Sequence, residues 1–131
     1  MIIKSGVDII QIARFEEQKP ALRKRFFKRV FTTRELSLIR NSMVSAAGRF
    51  TAKEAVAKAL GCGIGIVHWQ DIEILQGKTG EPLLILHAKA QEVSMEQGLD
   101  SWSLSISHSK QYAVAFAVAL GPATQDQRDD R

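Results

Sequence analysis

The chain has 131 residues, the size of one domain around one core, with 45% apolar and 24% charged residues, an ordinary globular balance. No apolar run is long enough to span a membrane, the lone cysteine, Cys62, excludes an internal disulfide framework, and Met1-Ile2-Ile3-Lys4 lacks the pattern of a secretory leader, so the expected location is the cytoplasm. The net charge is +4, but nine of the eighteen basic residues lie between Arg14 and Arg40 against only Glu16, Glu17 and Glu35, a local net of +6 that suits an acidic partner as well as a solvated helix face.

Residues 2–11 read as a strand, with Ile2, Ile3, Val7, Ile9 and Ile10 around Gly6 and Asp8. From Ile12 the pattern turns helical. Pro20 interrupts it and suits the first turn of a new helix over 21–30, where Leu22, Phe26, Phe27 and Val30 recur at helical spacing. Thr32 and Glu35 have the spacing of a capping box and predict another helix start. A longer helix is expected from Ser45 to Leu60, ended by Gly61. Residues 66–76 and 83–86 read as strands around a turn at 77–82, and 87–97 as a helix ending at Gly98.

The last pair of strands is the most regular. Trp102, Leu104, Ile106 and His108 alternate with serines, and Tyr112, Val114, Phe116, Val118 and Leu120 alternate with alanines. A sheet face of Ser and Ala would admit a helix or another subunit closely. Residues 122–131 are polar and are expected to form a frayed tail behind a domain spanning 1–121. The order of elements predicts a single α+β domain.

Several side chains could carry chemistry. Asp8 interrupts an apolar strand, where an unpaired carboxylate is costly. It is either a capping residue at a strand end or a ligand for a hard divalent cation. Glu54 and Lys58 are neighbours on one helix face and, with Thr51, form a polar stripe opposite Ala52, Ala55, Val56, Ala59 and Leu60. The same pair is also an ordinary surface ion pair. Gly61, Gly63 and Gly65 permit close approach of a ligand, but they follow a helix C-terminus, whose dipole repels anions. A phosphate there would need a cation, and Arg49, Lys53 and Lys58 are at hand. His108 ends an apolar strand face between Ser107 and Ser109. No Cys/His set has zinc spacing, and there is no nucleophile elbow.

Three blocks carry a family resemblance. They are Gly6-Val7-Asp8 with Arg14 six residues on, Arg49-Phe50-Thr51-Ala52-Lys53-Glu54-Ala55-Val56-Ala57-Lys58-Ala59, and Ser105-Ile106-Ser107-His108. In these blocks, and in Gly61–Gly65 and Gly80-x-Pro82, the chain resembles the holo-acyl carrier protein synthases, the short stand-alone 4′-phosphopantetheinyl transferases. The likeness covers residues 2–120.

The resemblance implies a small, mostly antiparallel sheet packed on helices and a trimer with active sites at subunit junctions. It implies transfer of 4′-phosphopantetheine from coenzyme A to a serine of apo-acyl carrier protein for fatty acid biosynthesis, leaving adenosine 3′,5′-bisphosphate. Asp8 and Glu54 would hold Mg²⁺, with Mn²⁺ an alternative. Lys58 would reach the phosphates. Arg49, Lys58, Gly61, Gly63, Gly65, Ser107, His108 and Ser109 would bind coenzyme A, with His108 counted among the catalytic set. Arg14, Arg25, Phe26 and Arg29 would dock the acidic carrier helix. The base for the serine hydroxyl is either Glu54 or a metal-bound water. Arg40 and Asn41 stand where some members are more basic. The competing reading is a nucleic-acid-binding module built on the basic 14–40 segment, although Phe15, Phe26, Phe27 and Phe31 sit there at core-like positions.

Overall fold

In the computed structural model, which describes residues 1–122, the first ten-residue strand β1 (Ile2–Gln11) leads through a one-turn helix α1 (Ala13–Glu16) into α2 (Pro20–Val30). Pro20 stands in the first turn of α2, where its missing N–H is no loss. Next comes α3 (Thr33–Ile39). Its capping box is complete: the Glu35 N–H donates to Thr32 Oγ1 at 3.1 Å, and the Thr32 N–H donates to Glu35 Oε1 at 2.9 Å. The long helix α4 (Met43–Leu60) begins two residues before the expected start, because the Ser42 hydroxyl caps the Ser45 N–H at 3.1 Å. It ends at Gly61, whose φ of +76° is the left-handed conformation that favours glycine.

The expected strand over 66–76 is shorter than the sequence suggests. Only β2 (Ile72–Gln76) is extended; Trp69–Asp71 form a 3-10 turn. The Asp71 carboxylate accepts the His68 N–H at 3.2 Å, a local bond that competes with strand pairing. The turn also lets Trp69 stack on Phe50 at 4.9 Å between ring centroids. Then follow β3 (Pro82–Leu86), α5 (Ala88–Glu96), β4 (Ser101–His108) and β5 (Tyr112–Gly121).

Among the described residues two antiparallel sheets result: a three-stranded one in the order β1-β5-β4 and a ribbon β2-β3. The expected α+β class holds. The expected small-residue face needs correction. Ser105 pairs with Phe116 and Ile106 with Ala115, so the serines and the alanines project from opposite sides of the sheet. The alanine side is roofed by α4, and Ala113, Ala115, Ala117 and Ala119 are buried. The other side carries the serines together with exposed Ile3, Val7, Ile9, Phe116 and Leu120. Of the tail expected over 122–131, all but Pro122 lies outside the described residues.

Helix α4 crosses the alanine side obliquely. A Cβ on Gly48 would meet Ile106 of β4 at 3.1 Å, and one on Gly6 would meet the Ala55 carbonyl oxygen at 2.0 Å. The N-terminal half of α4 thus lies over β4 and its C-terminal half over β1. A second apolar cluster, with Phe15, Phe27, Phe31 and Phe50 at its centre, ties α1 and α2 to the outer flank of α4.

Between α3 and the ribbon lies a buried polar network. Burial pushes the Glu73 carboxyl up, but bonds from Arg34, Thr32 and His87 outweigh it and hold the group down at about 2. A depressed carboxyl contributes stability above its unfolded value and loses it as pH falls through the folded one. Glu73→Gln is therefore expected to cost ~2 kcal/mol at neutral pH. The gap between variant and parent in urea melts should close as pH falls from the ordinary carboxylate range toward about 2. A gap independent of pH would show that the charge contributes nothing.

Candidate active site

Asp8 lies on the alanine side of β1, opposite Ala115, and α4 brings its polar stripe down beside it. The Thr51 hydroxyl donates to Asp8 Oδ2 at 2.9 Å. Lys58 Nζ donates to Asp8 Oδ1 at 3.1 Å and to the Val7 carbonyl at 3.0 Å. Glu54 is half-buried beside them. Its carboxyl is pushed above the usual range by burial and by the Asp8 charge, against the opposing pull of Lys58 and Arg14. The sequence stripe of Thr51, Glu54 and Lys58 is thus one face, and Arg14 stands near enough to act on it.

Two carboxylates crowded together raise the affinity of one for a proton, and a cation between them would relieve the repulsion. Each Asp8 oxygen accepts one hydrogen bond and keeps a lone pair. This donor set fits a hard divalent ion that takes few protein ligands. Among the described residues no group of three or more His, Cys, Asp or Glu gathers, so no all-protein metal cage is formed there.

The other candidates lie elsewhere. Arg49 is nine residues from Lys58, half a helical circumference away at 3.6 residues per turn. Its Nε donates to the Ile74 carbonyl at 3.0 Å, on the ribbon side, and its Nη1 to the Ser45 hydroxyl at 2.5 Å. It lines a cleft of about 320 Å³ with Ser42, Gly48, Gln76, Pro82 and His108. Gly61, Gly63 and Gly65 all have positive φ at the far end of α4, and Gly65 opens onto a separate hollow with Arg29 and Trp69. Ser107 projects from the sheet face opposite His108, and the Ser109 hydroxyl accepts the Tyr112 N–H at 3.1 Å to close the hairpin turn. One chain therefore carries two separated groups: Asp8, Glu54 and Lys58 on the β1 flank of α4, and Arg49 and His108 on the ribbon flank.

Lys53, which the sequence offered as a phosphate cation, is wholly buried and bonded to Glu35, Trp69 and Ile72. It cannot reach a ligand. Its helical angle, ~200° from Thr51, already separates it from the stripe. No local pattern marks Ser42, Ser45 or Gln76 as site residues; tertiary packing alone brings them to the cleft. Arg14, Arg25 and Arg29 are exposed, and half-buried Phe26 rests on Phe15 and Phe50. Phe15, Phe27 and Phe31 are buried and so are not available to stack on bases.

A family model described as the 4′-phosphopantetheinyl transferase superfamily matches residues 4–117. The chain belongs to this superfamily. Among similar transferases is the holo-[acyl-carrier-protein] synthase of Natranaerobius thermophilus, 47% identical over 121 residues and covering 90% of this chain and 97% of that one. The namesake from Herpetosiphon aurantiacus is 42% identical and covers 92% of this chain and 100% of its own. The crystal structure of the Helicobacter pylori holo-[acyl-carrier-protein] synthase in complex with coenzyme A has a TM-score of 0.80 at 34% identity. It covers 88% of this chain and 99% of that one. The transferase fold thus spans the whole of the region that holds both groups of candidate residues.

Proposed function

We propose that this chain is a holo-acyl carrier protein synthase that transfers 4′-phosphopantetheine from coenzyme A to a serine of apo-acyl carrier protein. The observation that carries this reading is the Asp8–Glu54–Lys58 constellation, held together by α4 on β1, in a chain of this superfamily. Asp8 and Glu54 would hold Mg²⁺ or Mn²⁺; such an ion, when bound, neutralises charge on the pyrophosphate.

The serine Oγ–P bond forms as the bridging P–O bond of coenzyme A breaks, and adenosine 3′,5′-bisphosphate leaves. Lys58 Nζ, 3.1 Å from Asp8 Oδ1, would stabilise the charge that gathers on the departing phosphate. Glu54, half-buried on the same face of α4, would be one base within the site for the serine proton. Arg49 and His108 would orient the nucleotide end, and the Gly61–Gly65 turn, Ser107 and Ser109, which lie apart from them in one chain, would join them only in an assembly of copies. The reaction is expected in the cytoplasm, in the domain spanning 1–121. Among the described residues no helix is long and apolar enough to cross a membrane.

A homotrimer with junctional sites is part of this reading. The two candidate groups lie on opposite flanks of α4, so a second copy would let both meet one coenzyme A molecule. The exposed apolar side of the sheet supports such an assembly: Ile3 is 63%, Ile9 61% and Phe116 47% exposed. Incubation with coenzyme A and Mg²⁺ should release adenosine 3′,5′-bisphosphate only when apo carrier is present. Release without carrier, or none with several carriers, would overturn the proposal.

The acidic carrier would dock on Arg14, Arg25, Phe26 and Arg29. Arg25→Glu is expected to raise the carrier KM about tenfold, with the coenzyme A KM unchanged and the defect shrinking in salt. An unchanged carrier KM would place the docking face elsewhere.

A further inference from the structure

Lys53 and Glu35 form a completely buried ion pair that takes no part in the proposed chemistry. We infer that the pair is a positioning device: it clamps the free edge of β2 so that Arg49 is held facing the nucleotide cleft. The inference rests on the coenzyme A site proposed above.

Among the described residues strand β2 pairs only with β3, so its other edge needs hydrogen-bond partners inside the protein. Side chains supply them. Lys53 Nζ donates to the Ile72 carbonyl at 2.5 Å, the Ile74 N–H donates to Glu35 Oε2 at 2.9 Å, and Arg49 Nε donates to the Ile74 carbonyl at 3.0 Å. The spacings match. Four residues of helix, from Arg49 to Lys53, advance about 6 Å, and two residues of strand advance about 6.7 Å. Two cations one turn apart can therefore bind alternate carbonyls of one strand edge.

Lys53 has no donor to spare. Its ammonium also reaches Glu35 Oε1 at 2.8 Å and the Trp69 carbonyl at 3.0 Å, which uses all three N–H groups. Glu35 closes the circuit by accepting the Thr32 N–H, so α3, α4, β2 and the 3-10 turn meet at one ion pair.

The cleft is built on this clamp. Ile74, Leu75 and Gln76 of β2 form one wall, and Arg49 and His108 face it. Arg49 is pinned at Nε by Ile74 and at Nη1 by Ser45, so the position of Ile74 sets the direction of the guanidinium. Burial opposes the Arg49 cation and the nearby Glu35 charge favours it. If the Lys53–Glu35 pair is lost, the Ile72 carbonyl loses its side-chain donor and Glu35, which accepts the Ile74 N–H, loses the cation that fixes it, so the edge that holds Arg49 loosens, while Asp8, Glu54 and Lys58 on the other flank are untouched.

The test is a cycle between Lys53→Met and Arg49→Ala, read in steady-state transfer. Lys53→Met should raise the coenzyme A KM about tenfold, with the carrier KM and the Mg²⁺ requirement unchanged. In the Arg49→Ala background the same change should raise that KM less than about twofold, because its route to the ligand is already gone. A residue that merely stabilises the fold would lower the melting temperature and leave the coenzyme A KM alone, which overturns the inference. Equal factors in both backgrounds would mean that Lys53 acts independently of Arg49, and overturn it too.

Because Lys53→Met leaves the buried Glu35 carboxylate without its bonded cation, the pair Lys53→Met/Glu35→Gln, which removes both charges, serves as the second variant and carries the same expectations. Calorimetric binding of adenosine 3′,5′-bisphosphate should weaken in step, without any chemistry. Parental enzyme that fails to transfer at all would count against the proposed function. Parental transfer with no shift in the variants counts against the clamp alone.

Discussion

Replacing Asp8 by asparagine is expected to lower kcat/KM by about three orders of magnitude while the protein stays folded. The side chain keeps its shape and one carbonyl oxygen, so its contacts with Thr51 and Lys58 are only partly lost. What disappears is the charge that faces Glu54. The Lys58–Asp8 pair is largely exposed on the lysine side and adds little to stability. Relief of the repulsion that raises Glu54 works in the other direction. Thermal melts without metal should therefore match the parent or exceed it. The carboxyl of Glu54, followed by NMR titration, should move back toward its ordinary range. Glu54→Ala should abolish transfer in the same way. Normal turnover in either variant would remove the carboxylate-pair assignment, and loss of fold in Asp8→Asn would assign Asp8 a structural role.

Gly6→Ala carries a large structural effect that reaches the candidate site. An added Cβ would lie 2.0 Å from the Ala55 carbonyl oxygen and 2.8 Å from the Ala59 nitrogen, both backbone atoms of α4. Backbone cannot rotate aside as a side chain can, so helix and strand must part. The expected cost is about 3 kcal/mol, a fall of about 10 °C in melting temperature for a chain of this size. Gly6 is two residues from Asp8 on the same sheet face, so the separation also pulls Glu54 and Lys58 from the aspartate. Activity measured well below the melting temperature should fall by about tenfold or more. A parental melting curve for Gly6→Ala would show that the close approach of α4 to β1 does not hold in solution.

This contact also shows what the sequence could and could not disclose. The alternation of β4 and β5, the capping box at Thr32 and the glycine stop at Gly61 were legible because each is a local pattern. The grouping of Thr51, Glu54 and Lys58 was legible because helical periodicity alone puts them on one face. Their meeting with Asp8 was implied by family resemblance, since no local pattern links residues more than forty positions apart. Whether Ser and Ala share a sheet face depends on strand register, which the alternation of one strand leaves open; the pairing of Ser105 with Phe116 decides it. The turn at Trp69–Asp71 escaped because its cause, the ring of Phe50 and the cap from Asp71, is partly tertiary. Lys53 was misjudged for a related reason. A lysine inside a basic motif reads as a ligand contact, and only the packing of α3 and β2 around it shows a buried tether.

The division of the candidate residues by α4 has the same origin. Arg49 and Lys58 belong to one motif, yet one holds the ribbon and the other reaches β1. A single helix can serve two sites only through opposite faces, and an assembly of copies would then bring unlike faces together. Substituting Phe116 by aspartate, in the exposed apolar face, would report on that assembly by its mass in solution.

The most direct measurement is the intact mass of an apo acyl carrier protein after incubation with this chain, coenzyme A and Mg²⁺, beside a chelator control. The account predicts a gain of one phosphopantetheinyl group on the carrier, absent with chelator and absent with Asp8→Asn. A carrier of unchanged mass in the presence of folded enzyme and metal, across several carriers, would contradict it.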